Sequence, residues 1–304
     1  MLRSIGLSLA VVAFSLVIIG LVVTAPKSVS ASSLPPYTPD PANGRVMFEA
    51  GGCSSCHATA NQPDRMRLGG GLPLKSPYGV FYPPNISPDP QHGIGRWSEP
   101  DFVTAMHEGT SPDGANYFPA FPYPSYAHMR IEDVRDVFAY LKTLPAVSDP
   151  SRPHDVRFPY NLRPLVGIWK FLYFRDDVFA PDPTQSAEWN RGAYLVNGAG
   201  HCAECHSPRN ALGAIIEERR FSGGPNPSGG RGKVPSLTQA NLDIWSVKDI
   251  ETLLTTGETP DGDTIGEPMS DVVKHTAELP EADRHAIAVY TKSLQPRSGE
   301  KKAE

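Results

Sequence analysis

Apolar side chains recur at helical spacing in several short stretches, and the same stretches return about 150 residues later. Val134, Val137, Phe138 and Leu141 lie three and four residues apart, which predicts a helix from about Glu132 to Leu144 with one buried face. Ile287, Val289, Tyr290 and Leu294 predict a counterpart, less cleanly, from about Glu281 to Leu294. Shorter apolar faces come from Phe102, Val103 and Met106, and from Ile250, Leu253 and Leu254. Each of these follows a Trp-Ser pair whose serine, Ser98 or Ser246, can cap the helix. A further helix is expected over residues 44–50 and again over 190–196. No alternating stretch long enough for a sheet stands out, so the expected class is all-α.

The recurrence is an internal repeat. Trp97-Ser98 and Trp245-Ser246 are 148 residues apart, and that offset persists through Gly109/Gly257, Pro112/Pro260, Asp113/Asp261 and Gly114/Gly262. Asp133, Tyr140 and Lys142 match Asp283, Tyr290 and Lys292 at an offset of 150. Landmarks in one order at nearly one spacing predict two homologous domains, 40–146 and 186–296. Between them lies a linker, 147–185, rich in proline and aromatic residues, and after them a disordered tail, 297–304.

After Met1-Leu2-Arg3, the run from Ile5 to Ala25 carries no charge and is rich in Leu, Val and Ile. At about 21 residues it is long enough to cross a bilayer and longer than the apolar core of a cleaved signal. The favoured reading of residues 1–25 is an N-terminal transmembrane helix acting as an anchor. The small residues Val29-Ser30-Ala31 keep a cleaved signal open. Residues 26–39 then read as a flexible tether. Both readings put the bulk of the chain on the periplasmic side of a bacterial cytoplasmic membrane. Composition adds little to this. A hydrophobic content of 39% supports a real core, and 32 prolines with 27 glycines imply long ordered loops. The formal net charge of −5 argues against a nucleic-acid partner.

The candidate chemistry sits at Cys53-Ser54-Ser55-Cys56-His57 and Cys202-Ala203-Glu204-Cys205-His206, 149 residues apart. Each reads Cys-x-x-Cys-His, the attachment site of a c-type haem. The thiols of Cys53 and Cys56, and of Cys202 and Cys205, would add across the haem vinyl groups, and His57 and His206 would ligate iron. The expected cofactors are therefore two covalently bound haem c groups. A four-thiolate zinc site would not need the two histidines. A thioredoxin-like pair requires a βαβ setting that the flanks lack. Structural disulfides suit an exported chain but explain neither histidine.

The second axial ligand sets the behaviour of such a centre. In the second domain Met269 follows a Pro-Asp-Gly turn and is that domain's only methionine, which makes it the candidate, with apolar gap-filling the alternative. In the first domain the position equivalent to Met269 is Phe121, which cannot ligate iron. Met129 is the candidate there, on a loop ahead of the last helix. His128 is its rival, and helix-end packing the bland alternative. The histidines at 92, 107, 154, 201, 275 and 285 read as ordinary surface or core residues.

Several runs resemble the multihaem cytochrome c subunits of bacterial membrane-bound alcohol and gluconate dehydrogenases and related diheme cytochromes. In the first domain these are Gly79 to Asp89, Gly93-Ile94-Gly95 with Trp97-Ser98, and Tyr117 to Tyr123. In the second they are Arg191 to Val196, Cys202 to Asn210 and Gly213. The resemblance covers about 40–296. It implies tandem class I cytochrome c folds, covalent haem, His/Met ligation and service to a periplasmic redox chain, and it supports Met129. Those dehydrogenase subunits usually carry three haem motifs, and this chain has two.

Two classes of function follow. The first is an electron carrier between a quinol or a dehydrogenase subunit and an acceptor such as a terminal oxidase or a soluble cytochrome, with no catalytic residues. The second is a diheme enzyme such as a cytochrome c peroxidase, which requires one displaceable ligand. In the linker, Ile168 to Phe174 is strongly aromatic. It reads either as packing across both domains or as a docking patch for a dehydrogenase or a membrane interface.

Overall fold

The computed structural model describes residues 22–227, 232–266, 268–297, 299 and 300, together with 14, 15, 18 and 20. Each repeat is built on a pair of crossing helices. In the first, α1 (Pro41–Ala50) crosses α5 (Ile131–Leu141), and in the second, α7 (Ala187–Asn197) crosses α12 (Glu281–Ser293). The crossing is close because glycine stands at its centre. A Cβ on Gly44 would overlap the carbonyl of Asp136, and one on Gly192 that of Ala286.

Between the paired helices come the short helix of each Cys-x-x-Cys-His motif, α2 (Cys53–His57) and α8 (Ala203–His206), then a long loop and a middle helix. The middle helices start as their sequence requires. Ser98 and Ser246 each form a capping box with the aspartate three residues on, Asp101 and Asp249. In the first repeat the helix α3 (Glu99–Val103) widens into a π-helical turn, Thr104–Glu108; in the second, α10 (Val247–Thr256) runs straight. Helix α4 (Tyr123–Tyr126) leads to Met129 and α5, whereas the longer α11 (Met269–Thr276) begins at Met269 itself. A short α9 (Gln239–Leu242) precedes α10.

The expectation of an all-α fold headed by a transmembrane helix is corrected on both counts. Strands β1 (Leu74–Ser76), β2 (Gly79–Phe81) and β3 (Asp155–Val156) form an antiparallel sheet with Leu74 opposite Phe81 and Gly79 opposite Val156. In the second repeat β4 (Gly224–Pro225) pairs with β5 (Lys233–Val234). These strands are two or three residues long, too short for alternation to register as a pattern, and β3 comes from the linker. Among the described residues no helix is long and apolar enough to cross a membrane. Most of the run assigned to the anchor lies outside the described residues, as do residues 301–304 of the expected tail. The segment read as a tether lies along the first repeat. Arg135 donates to the carbonyls of Pro35 and Tyr37, and the Tyr37 hydroxyl donates to Asp136.

The linker contains α6 (Arg163–Tyr173), which fastens to both repeats. Toward the first, Lys170 donates to the Glu108 carbonyl and to Asn116 Oδ1, and Arg163 donates to the Asn116 carbonyl. Toward the second, the Trp169 indole donates to the Leu212 carbonyl at 3.0 Å.

The repeats share one contiguous apolar core. Polar contacts cross the same seam: the Tyr194 hydroxyl donates to Asp133 while accepting from the Arg130 N–H. At another point the buried Glu49 carboxylate accepts from His275 Nδ1 at 2.6 Å.

Candidate haem-binding centre

Each motif histidine is held in the same way. His57 Nδ1–H donates to the Pro84 carbonyl and His206 Nδ1–H to the Pro235 carbonyl, both at 2.8 Å. That bond fixes the tautomer and leaves Nε2 of each ring as the lone-pair donor. Burial lowers the basicity of both rings, against the opposing pull of their carbonyl partners, so each is neutral, the form that binds a metal.

The loop after each motif closes back on it. Gly70 N–H donates to the His57 carbonyl and Gly223 N–H to the His206 carbonyl, again both at 2.8 Å. Both glycines have left-handed backbones, φ 72° and 70°, and a Cβ on either would overlap carbonyls of the strand or loop beneath. These carbonyls and glycines recur at nearly the offset of the motifs. The sequence signal that could have found them is the pair of glycine clusters at 69–71 and 223–224.

The four cysteines are free and belong to the two motifs. Burial by the surrounding chain pushes the thiols of Cys53 and Cys202 up to about 12 and that of Cys56 to about 11. Cys205 is raised in the same direction, although it keeps an exposed flank.

The structure brings the two motifs together across the seam. The buried Tyr126 ring packs edge-on against His201 with centroids 5.8 Å apart. His201 Nε2–H reaches the Gly51 carbonyl at 3.2 Å, and Ser125 Oγ donates to Glu204 at 3.1 Å. His201 holds φ 37°, a left-handed conformation uncommon for a side-chain-bearing residue, at the position where the first repeat has Gly52. In the reciprocal contact, His275 Nε2 meets Ser54 Oγ, inside the first motif, at 3.1 Å. His201 and His275 are therefore seam residues, a role that reading each repeat separately could not reveal.

Met129 is 1% exposed and lies in the shared core, packed toward Gly198 of the second repeat. Met269 is partly buried against the same core at the first position of α11. His128, the rival to Met129, commits Nδ1 to the Asp177 carbonyl at 2.6 Å.

Residues 41–145 match the family model for cytochrome c. A diheme cytochrome c-type protein of Cereibacter sphaeroides is 45% identical over 95% of this chain and 96% of its own length. This chain belongs to the cytochrome c family. The fructose dehydrogenase cytochrome subunit of Gluconobacter japonicus is 34% identical over 86% of this chain. The gluconate 2-dehydrogenase cytochrome c subunit of Pantoea cypripedii is 34% identical over 83%. This cytochrome c spans about half the length of those two subunits, 54% and 58%. The side chains fit the haem c that the family carries: paired thiols for the thioethers, and a neutral imidazole with Nδ1 already occupied.

Proposed function

We propose that this cytochrome c carries electrons on the periplasmic side of the cytoplasmic membrane, between a quinol or a dehydrogenase and an acceptor such as a terminal oxidase or a soluble cytochrome. Haem c, when bound, supplies a reversible one-electron iron couple. We assign one haem to each repeat, held by Cys53 and Cys56 with His57 and Met129 as axial ligands, and by Cys202 and Cys205 with His206 and Met269. The remaining work of the chain is to exclude water and hold these groups still. The Pro84 and Pro235 carbonyls orient the imidazoles, and the glycine loops close beneath them.

The observation that carries the reading is the seam, where His201, next to the second motif, reaches the Gly51 carbonyl next to the first and packs against Tyr126. Two attachment motifs facing each other suit passage of single electrons through the molecule. Service to a dehydrogenase is supported by the relatives that are dehydrogenase cytochrome subunits, and none of the relatives described above is a peroxidase. The test is an anaerobic reductive titration of the haem-loaded chain with optical detection. Two electrons per chain, low-spin spectra throughout and no response to peroxide are expected. A high-spin fraction that reacts with peroxide would overturn the assignment.

A further inference from the structure

Helix α6 turns its apolar side chains outward and its cations inward. The inner face carries Arg163, Val166, Gly167 and Lys170, which hold it to the first repeat. The outer face carries Leu165, Ile168, Phe171 and Leu172, between 42% and 60% exposed. Ahead of the helix Phe158 and Leu162 are exposed as well, Phe158 at 77%. The contacts that tie α6 to both repeats are already made by its other residues, so internal packing does not account for this face. Contiguous exposed apolar surface of this kind marks an interaction site.

Where the chain enters decides what covers it. The described end of the uncharged run, at Thr24, reaches α6 at Gly167 on its inner side. The Thr24 backbone lies so close to Gly167 that a Cβ there would overlap it. Lys27 then pairs with Asp176 at 3.0 Å, fixing the chain just beyond the helix. Phe14, Ile18, Val22 and Val23 in the run are exposed. An exposed apolar segment, distant in sequence, therefore joins the protein beside α6, at the edge of its inner side. Exposed Arg157 and Arg175 stand before and after the stripe, where they can meet phosphate headgroups while the leucines and phenylalanines reach the acyl boundary.

We propose that the outer face of α6 seats in the headgroup–acyl boundary of an anionic bilayer, as an interfacial helix lying on the membrane. Such seating requires no spanning helix and does not depend on the electron-carrier reading. A protein partner would be a different occupant. The entry of an exposed apolar N-terminal segment beside this helix favours lipid.

The test uses the full-length, haem-loaded chain with vesicles of phosphatidylethanolamine and phosphatidylglycerol containing a diazirine phospholipid. Photolabelled peptides are mapped by mass spectrometry. Label is expected on residues 162–172. The exposed pair Leu165→Lys and Phe171→Lys together should lower label on that peptide about tenfold or more, with the haem spectrum and the thermal midpoint unchanged. Label confined to residues before 26, no label on 162–172, or protection of α6 only by a dehydrogenase subunit would each overturn the proposal.

Discussion

The hydrogen bond from His275 Nδ1 to the buried Glu49 carboxylate joins the two repeats at the first attachment motif, and His275→Ala tests its weight directly. The side chains of His275 and Glu49 are 4% and 1% exposed. Removing the imidazole strands a buried carboxylate and takes the Nε2 partner from Ser54. Leaving a buried acceptor without its donor costs about 1–3 kcal/mol, and more where the acceptor is charged. Arg65 still reaches Glu49 at 3.3 Å, which keeps the loss to about 3 kcal/mol. For a chain of this size that lowers the thermal midpoint by roughly 6–12 °C. Adding Glu49→Gln should recover part of the loss, because no charge is then left stranded. The assay is thermal unfolding of the haem-loaded protein, followed in parallel by far-ultraviolet circular dichroism and by the Soret band. A shift below about 2 °C, or a double variant no more stable than His275→Ala alone, would refute the reasoning.

Gly192→Val should disrupt the α7–α12 crossing at a cost of about 3 kcal/mol, since its Cβ would overlap the Ala286 carbonyl; haem-stained yield and thermal unfolding check this. Met129→Ala and Met269→Ala should each abolish the weak long-wavelength thioether–iron band of one haem and leave the other, as read by absorption of the oxidised protein. For pH, His154 Nδ1 accepts from the Tyr82 N–H, which requires the neutral ring, and burial pushes its pKa below the ordinary imidazole value, with Arg163 adding to the shift. The unfolded chain therefore takes up the proton first, and stability present above about pH 6.5 is lost as pH falls through the lowered folded-state value. His154→Gln should flatten that slope in urea unfolding between pH 7 and 5.

The helices were legible where an amphipathic face and a cap coincide. Ser98 and Ser246 announce the middle helices with their aspartates three residues on, and the periodicity of Val134 to Leu141 lies within α5. The strands were not, because two or three residues cannot display a period, and β3 pairs across more than seventy residues of chain. Helix α6 escaped notice as a helix because an outward apolar face beside inward cations reads as an aromatic linker. The motifs gave the thiols and histidines. They could not give Pro84 and Pro235, whose contribution is a backbone carbonyl indifferent to side-chain type. Nor could they give the partnership of His201 and His275, since a seam between repeats is a relation between two surfaces that no local pattern encodes.

The central claim is one covalently held haem in each repeat. Intact-mass measurement of the denatured protein tests it most directly. A polypeptide carrying two haems is expected, falling to one in Cys202→Ala with Cys205→Ala and to one in Cys53→Ala with Cys56→Ala. A wild-type chain carrying one haem or none, under conditions where c-type attachment is active, would contradict it.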